Sequence, residues 1–383
     1  MHDVVIVGAG PVGATLALAL RDADLDIVVL DTRARGGTLR GDRSLALSHG
    51  ARLILERQEV WPELTATRGG VTPITEVDVS QSGGFGQTRL TAAEMGLPAL
   101  GYVVRYRALQ SALDAALERA RIAVRHDVSA KSVGGTPAYA AVELEGDAQP
   151  LLARLAAVSD GAGGVVADAA RRRHDYGQVA LVAKVGAAPK PDGVAWERFA
   201  SDGPIALLPE GDHYGLVWTM PPEAAATRLE QDDAAFLRDL AHQLGSRAPR
   251  LTSVADRRTF PLVLEFARDP ARSRCVVLGN AAQTLHPVAA QGFNVGLRDA
   301  YGLALAVLDA PREEIGARAM LARYADGRRI DRMAGIAFTH GLVEIFGRDV
   351  AMLRWPRGLA LTLLDAVPPV KRAFSRAMMF GLG

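Results

Sequence analysis

Six consecutive residues near the start of the chain, Gly8-Ala9-Gly10-Pro11-Val12-Gly13, carry its most definite chemistry. The G-x-G-x-x-G spacing fits a turn from a strand into a helix, and the run Asp3–Val7 and the Ala- and Leu-rich segment Pro11–Arg21 flank it on the required sides. Gly8 permits a tight turn, Gly10 lets a pyrophosphate approach the backbone, and Gly13 lets helix and strand pack closely. Pro11 suits a first helical turn, so free N–H groups and the positive end of the helix dipole face the phosphates. A second apolar run, Asp26–Leu30, ends at Asp31, whose carboxylate is placed to accept ribose hydroxyls. Strand, turn, helix, strand and acid together describe a site for an adenine dinucleotide. They leave open whether that dinucleotide is NAD or FAD.

A second glycine-led turn, far along the sequence, favours a flavin. The apolar run Arg274–Leu278 leads into Gly279-Asn280, a loop passes through His286-Pro287, and Gln291-Gly292-Phe293-Asn294 opens another helix. A helix starting near Gly292 presents its N-terminal amides to an electron-rich group. In a flavin that group is the N1–C2=O edge, which turns negative on reduction. A simple NAD dehydrogenase has no need of this second turn.

The segment GNAAQTLHPVAAQGFNVGLRDA at 279–300 resembles the class A FAD-dependent aromatic monooxygenases of the para-hydroxybenzoate hydroxylase superfamily. It is most similar to the ubiquinone-biosynthesis hydroxylase family, in its 2-octaprenyl-6-methoxyphenol hydroxylase branch. WERFASDGPIALLPEG at 196–211, VWTMP at 217–221 and RYADGRRIDR at 323–332 resemble the same family, so the similarity runs through nearly the whole chain. The resemblance implies FAD as cofactor, NADPH or NADH as reductant, and hydroxylation of a lipophilic polyprenyl phenol with O₂ in ubiquinone biosynthesis. It further implies that Gly8, Gly10, Gly13 and Asp31 hold the ADP half and that Arg43 and Arg105 approach the flavin and its phosphates. Asp160-Gly161 would serve FAD and the nicotinamide pyrophosphate, Asn280 the ribityl chain, and Pro287, Gly292 and Asn294 the isoalloxazine. Ala9, Pro11, Val12, Val128, Gln291 and Phe293 complete the candidate cofactor contacts, with Gln110 a looser match.

Three positions depart from the family pattern. Asn280 stands where most of the superfamily carries Asp, Ala290 where Gly is usual, and Ala162-Gly163 where the Asp-Gly motif continues to Ser and Arg. The last departure bears on the nicotinamide contact. It keeps two rivals open: a flavin-dependent reductase of an isoprenoid, and a catalytically idle FAD-binding scaffold in a quinone-biosynthesis complex. No catalytic base is assigned, because the chemistry belongs to the cofactor while the protein supplies orientation, a dry pocket and electrostatics.

The elements that must position these residues read as an α/β protein. A Rossmann-like FAD-binding domain is expected in two parts, 1–174 and 267–317, around an inserted, mostly β substrate domain at 175–266. A helical C-terminal region at 318–383 follows. Ser48–Leu64 and Tyr106–Ala120 read as helices, and Leu152–Ser159 as a buried strand stopping at Asp160. Val179–Val185, Ile205–Leu208 and Tyr214–Thr219 alternate like strands of the inserted sheet, with one helix near Asp232–Leu244. Leu207, Leu208, Trp218 and Met220 would form an apolar wall over the flavin ring.

Composition sets the outer bounds. The chain has 383 residues, enough for about two or three domains. Lys and Arg number 44 against 43 Asp and Glu, and aromatics make up 5%, so neither charge nor stacking surfaces recruit nucleic acid. The single cysteine, Cys275, excludes internal disulfides and reads as a core thiol, while the scattered histidines give no expectation of a metal site. With no secretory signal and no run of about 18 uncharged apolar residues, a cytoplasmic protein is expected. The last thirty or so residues mix Trp355, Phe374 and Phe380 with Arg354, Arg357, Lys371, Arg372 and Arg376. That blend suits a helix lying peripherally on the inner face of a membrane. Packing of these helices on the protein's own core or on a partner is the preferred reading.

Overall fold

The computed structural model describes residues 1–37, 43–67, 69–161, 164–166, 170–286, 288–346 and 351–382. Its helices are α1 (Pro11–Ala19), α2 (His49–Arg57), α3 (Trp61–Ala66), α4 (Tyr106–Arg119), α5 (Pro222–Glu230), α6 (Asp233–Leu244), α7 (Gln291–Leu308), α8 (Arg318–Phe346), α9 (Ala351–Ala366) and α10 (Pro368–Phe380). They surround two large sheets and one small one.

In the first sheet, His2–Val7 lies parallel between Leu151–Val158 and Ile27–Leu30, with Cys275–Val277 and Ala123–Arg125 further out on either side. Both faces are covered, so these strands are continuous apolar runs in which Val4, Val5 and Ile6 are fully buried. Leu16 of α1, Leu113 of α4 and Leu303 of α7 pack on one face. Val142 and Leu144 pack on the other. The expected parallel unit is therefore present.

The second sheet is mostly antiparallel and runs Gln283–Thr284, Arg250–Ala267, Arg171–Ala188, His213–Met220, Gly203–Glu210, Val194–Ala200, Glu76–Gln81, Gln87–Thr91. Phe236, Leu240 and Leu244 of α6 cover one face, against Leu207, Leu216 and Trp218. The sheet draws two strands from 76–91, upstream of the 175–266 segment in which it was expected. Glu76, Asp78 and Ser80 give that stretch a polar look, yet Val77 and Val79 alternate with them and turn inward. A small third sheet, Ser44–Ser48, Gly101–Arg105 and Val71–Ile74, sits between the two large ones.

One long helix was expected over Ser48–Leu64. The chain instead breaks at Glu59, which takes a left-handed φ of 60°, and gives α2 and α3. The Ser48 hydroxyl caps α2 by accepting the Ala51 N–H at 3.2 Å. Among the described residues no helix is long and apolar enough to cross a membrane.

Candidate active site

The N-terminus of α1 is built as its sequence requires. A Cβ on Gly8, whose φ is +100°, would lie 2.7 Å from the Ser159 carbonyl oxygen, and one on Gly13 would overlap the Gly8 carbonyl oxygen at 2.0 Å. A Cβ on Gly10 would meet nothing within 4 Å, so the space over the helix start is open. Gly10 caps α1 with no side-chain hydrogen bond, and no acidic residue occupies the first turn. Amide donors, an open approach and no competing carboxylate suit a pyrophosphate. Ser159 donates to the carbonyls of Val7 and Gly8 at 3.2 and 3.0 Å, which brings Asp160 and Gly161 beside the same turn.

Asp31 is buried at the end of its strand, as expected, but its carboxylate is already engaged. Arg33 donates to it from the backbone at 2.9 Å and from the guanidinium at 2.9 and 2.7 Å. The same guanidinium reaches Asp114 of α4 at 3.2 Å and the Ala9 carbonyl at 3.3 Å. Gln110 joins by donating to Ala9 and Asp114, both at 2.8 Å. Val128 donates its N–H to the Asp31 carbonyl at 3.0 Å. Arg33 and Asp114 were missed at the sequence level. Nothing in their spacing marks them, and only the fold sets α4 against the turn.

The two glycine turns meet directly. Val12 of α1 packs on the 3₁₀ turn Gly279–Ala281, where a Cβ on Gly279 would lie 3.0 Å from Val12 Cγ2. On α7, a Cβ on Gly296 would sit 3.0 Å from the Gly279 Cα. Asn280 is exposed at this junction. The start of α1, the Gly279 turn and the first half of α7 are thus packed together.

Asn294 is buried in the first turn of α7 and uses its amide on backbone. It accepts the Ser48 N–H at 2.8 Å and donates to the carbonyls of Ala46 and Ala290 at 3.1 and 2.8 Å. Its part is to fix the Ser44–Ser48 strand to the helix start. Ala290 caps α7 in a left-handed conformation with φ 49°, which explains why glycine is usual there. Gly292 and Phe293 are half-buried beside it, and Gln291 is buried with its amide 3.4 Å from the Met378 carbonyl. Pro287 lies outside the described residues.

On the sheet side of that helix start is a cavity of about 360 Å³, bounded by Val77, Val79, Leu208, Phe338, Leu361 and Phe374 among others. Leu208 belongs to the wall as expected. Leu207, Trp218 and Met220 turn to the opposite face and pack under α6. Strand alternation separates them: adjacent residues cannot share a face.

Charged neighbours fix the rim. Arg105 donates to Glu210 at 3.1 Å, and the Ser44 hydroxyl and His213 contact the same carboxylate. Burial alone would raise the Glu210 pKa, yet His213, Ser44 and Arg105 hold it down to about 2. Arg43 is exposed and stacks its guanidinium over Tyr106, 5.3 Å from the ring centre. His286 is fully enclosed, accepts the Val288 N–H at 3.1 Å and is pushed down to about 4 by burial, so it is neutral. Burial lifts the Cys275 thiol to about 11, which leaves it unreactive. One reading needs correction. The histidines are not all scattered, since His174 and His340 meet Glu344 with ligating atoms within 4.8 Å of one another. Asp299 is buried in α7 and pairs with Arg328 at 2.9 Å.

A parallel α/β sheet, two glycine turns packed against each other and an apolar chamber beside the start of α7 together define a flavin-nucleotide-binding enzyme fold. The FAD binding domain family matches residues 1–337. Ubiquinone hydroxylase UbiL of Rhodospirillum rubrum is 32% identical, with 98% of this chain and 89% of that protein aligned. The 3-demethoxyubiquinol 3-hydroxylase of Escherichia coli is 28% identical, with 100% and 98% aligned. The crystal structure of p-nitrophenol 4-monooxygenase PnpA from Pseudomonas putida shares the fold, with a TM-score of 0.79 at 17% identity over 100% of this chain and 99% of that one. The chain belongs to the FAD-dependent monooxygenases of the FAD binding domain family, in the group of ubiquinone hydroxylases, and FAD is its cofactor.

Proposed function

We propose that this protein hydroxylates a lipophilic polyprenyl phenol of ubiquinone biosynthesis, using O₂ and NADPH or NADH. The observation that carries this reading is the apolar cavity at the start of α7. Its volume suits one aromatic ring and the root of an isoprenoid tail. When bound, FAD supplies the passage of electrons from the reductant and the activation of O₂. Gly8, Gly10 and the first amides of α1 would hold the pyrophosphate, Asp31 with Arg33 the adenosine ribose, and Asn280 the ribityl chain. The amides that open α7 would face the flavin edge that gains negative charge. The cavity walls exclude water and orient the ring.

Peripheral contact with a membrane belongs to the same proposal. On α9, Leu361 and Leu364 line the cavity while Trp355, Leu359 and Leu363 face outward at 75%, 53% and 52% exposure. Arg372 and Arg376 are exposed on α10 nearby. An apolar stripe with basic neighbours is what an interfacial helix needs. A helix that faces lipid outside and the cavity inside would give a lipid-soluble phenol a short way in.

The deciding experiment mixes FAD-loaded protein anaerobically with NADH or NADPH, with and without a panel of lipophilic phenols, and follows flavin bleaching. Bleaching accelerated by a phenol, followed by ¹⁸O from ¹⁸O₂ in the product, is expected. Reductant consumption without incorporated ¹⁸O would mark a reductase, and no bleaching at all would mark an idle scaffold.

A further inference from the structure

Glu197 occupies a position where the fold calls for an apolar side chain. It lies in the middle of Val194–Ala200, and strand alternation turns Ala195, Glu197 and Phe199 toward the cavity. Arg198 points the other way, to Ser80 and the Gln243 carbonyl. The strands on either side place Val79 and Ala206 level with Glu197. From the helices over the cavity come Phe338, Leu342, Leu361 and Phe374. Among the described residues that line the cavity, Glu197 alone titrates.

No hydrogen-bond partner reaches its buried Oε1. Burial raises its pKa to about 8, with no nearby charge to offset the effect, so the carboxyl is neutral near pH 7. A neutral carboxyl has one O–H donor and free acceptor positions. Holding such a group unpartnered in an apolar wall costs stability and gives the fold nothing. The position makes sense if a ligand brings the missing partner.

We propose that Glu197 hydrogen-bonds the ring hydroxyl of the phenol substrate and thereby sets which edge of the ring faces the flavin. This rests on the phenol hydroxylase reading above. It adds a selection rule: the ring must carry a free hydroxyl at the position Glu197 reaches, while the rest of the ligand is held by apolar contact.

The test uses the FAD-loaded full chain and two probes, 2-geranylphenol and its O-methyl ether, with binding read from the perturbed flavin spectrum. Wild type should bind the phenol about ten-fold more tightly than the ether, the worth of one buried hydrogen bond. E197L should lose that preference by weakening the phenol alone. E197Q should stay within about three-fold of wild type for both probes, since an amide also donates and accepts. E197L removes an unpartnered carboxyl, so its thermal midpoint should equal or exceed that of wild type. Equal binding of both probes by wild type would overturn the proposal without any variant. So would an E197L protein that keeps the preference. In both cases phenol binding itself survives, and so does the hydroxylase reading. Wild type that binds neither probe, and whose flavin bleaching no phenol accelerates, would remove both together.

Discussion

A single added carbon at Gly13 tests the nucleotide site most sharply. A Cβ there overlaps the Gly8 carbonyl oxygen at 2.0 Å, so α1 must move off the strand that aims it. G13A is expected to retain FAD at least ten-fold more weakly, measured as flavin absorbance remaining after gel filtration. Glu210 offers a second test, through pH. Its folded pKa of about 2 lies below the ordinary carboxylate value of 4.5, so its contribution is complete above that value and lost as pH falls toward 2. The amount is roughly 3 kcal/mol. His213 runs the other way: its hydrogen bond to Glu210 raises its pKa, so its contribution is present below 6.5 and fades as pH rises. Denaturation midpoints between pH 5 and 2 should fall more steeply for wild type than for E210Q. The glycines were legible because a tight turn is a local demand that only glycine meets. Arg33, Asp114 and Glu210 were not, because each acts through a partner that only tertiary packing delivers.

Among elements, a buried ion network ties α7 to α8. Arg328 of α8 bonds Asp299 at 2.9 Å and also contacts Asp331, while Arg298 of α7 reaches Asp331 at 2.8 Å. Both carboxylates are buried and Asp331 keeps Arg298, so R328A strands Asp299 where water cannot reach it. A loss of about 3–5 kcal/mol is expected in urea unfolding, with D299N milder because an amide still accepts the Arg328 N–H. The parallel strands and α4 were readable from runs of apolar residues at the right period. The 76–91 strands were not, because Glu76, Asp78 and Arg89 interrupt the apolar pattern, and the buried Asp78 pairs with Arg247 from a distant segment. In that stretch the apolar face looks onto a cavity rather than a packed core, and the sequence signal thins accordingly.

At the scale of the whole molecule, the outer stripe of α9 makes a prediction of its own. Leu359 and Leu363 are largely exposed and Trp355 meets Phe85 edge-on at the surface, so the triple change to Ser should cost no more than about 2 kcal/mol of unfolding free energy. The wild-type holoprotein should float with phosphatidylglycerol vesicles and less with phosphatidylcholine vesicles, and the triple variant with neither. Equal recovery of both proteins at the bottom of the gradient would remove the membrane contact from the proposal. The C-terminal sequence offered this reading and its opposite, because Arg357 and Lys371 look like surface charge and are in fact buried.

The contact of Val12 with Gly279 and Gly296 also has a bearing on time. Most of the chain separates these residues, and the cavity is closed later still, by α9 and α10. A ribosome making this protein exposes the first glycine turn long before its counterpart at Gly279–Ala281 exists. The cofactor therefore meets a complete site only once both turns have been made, so its capture follows the synthesis of the second.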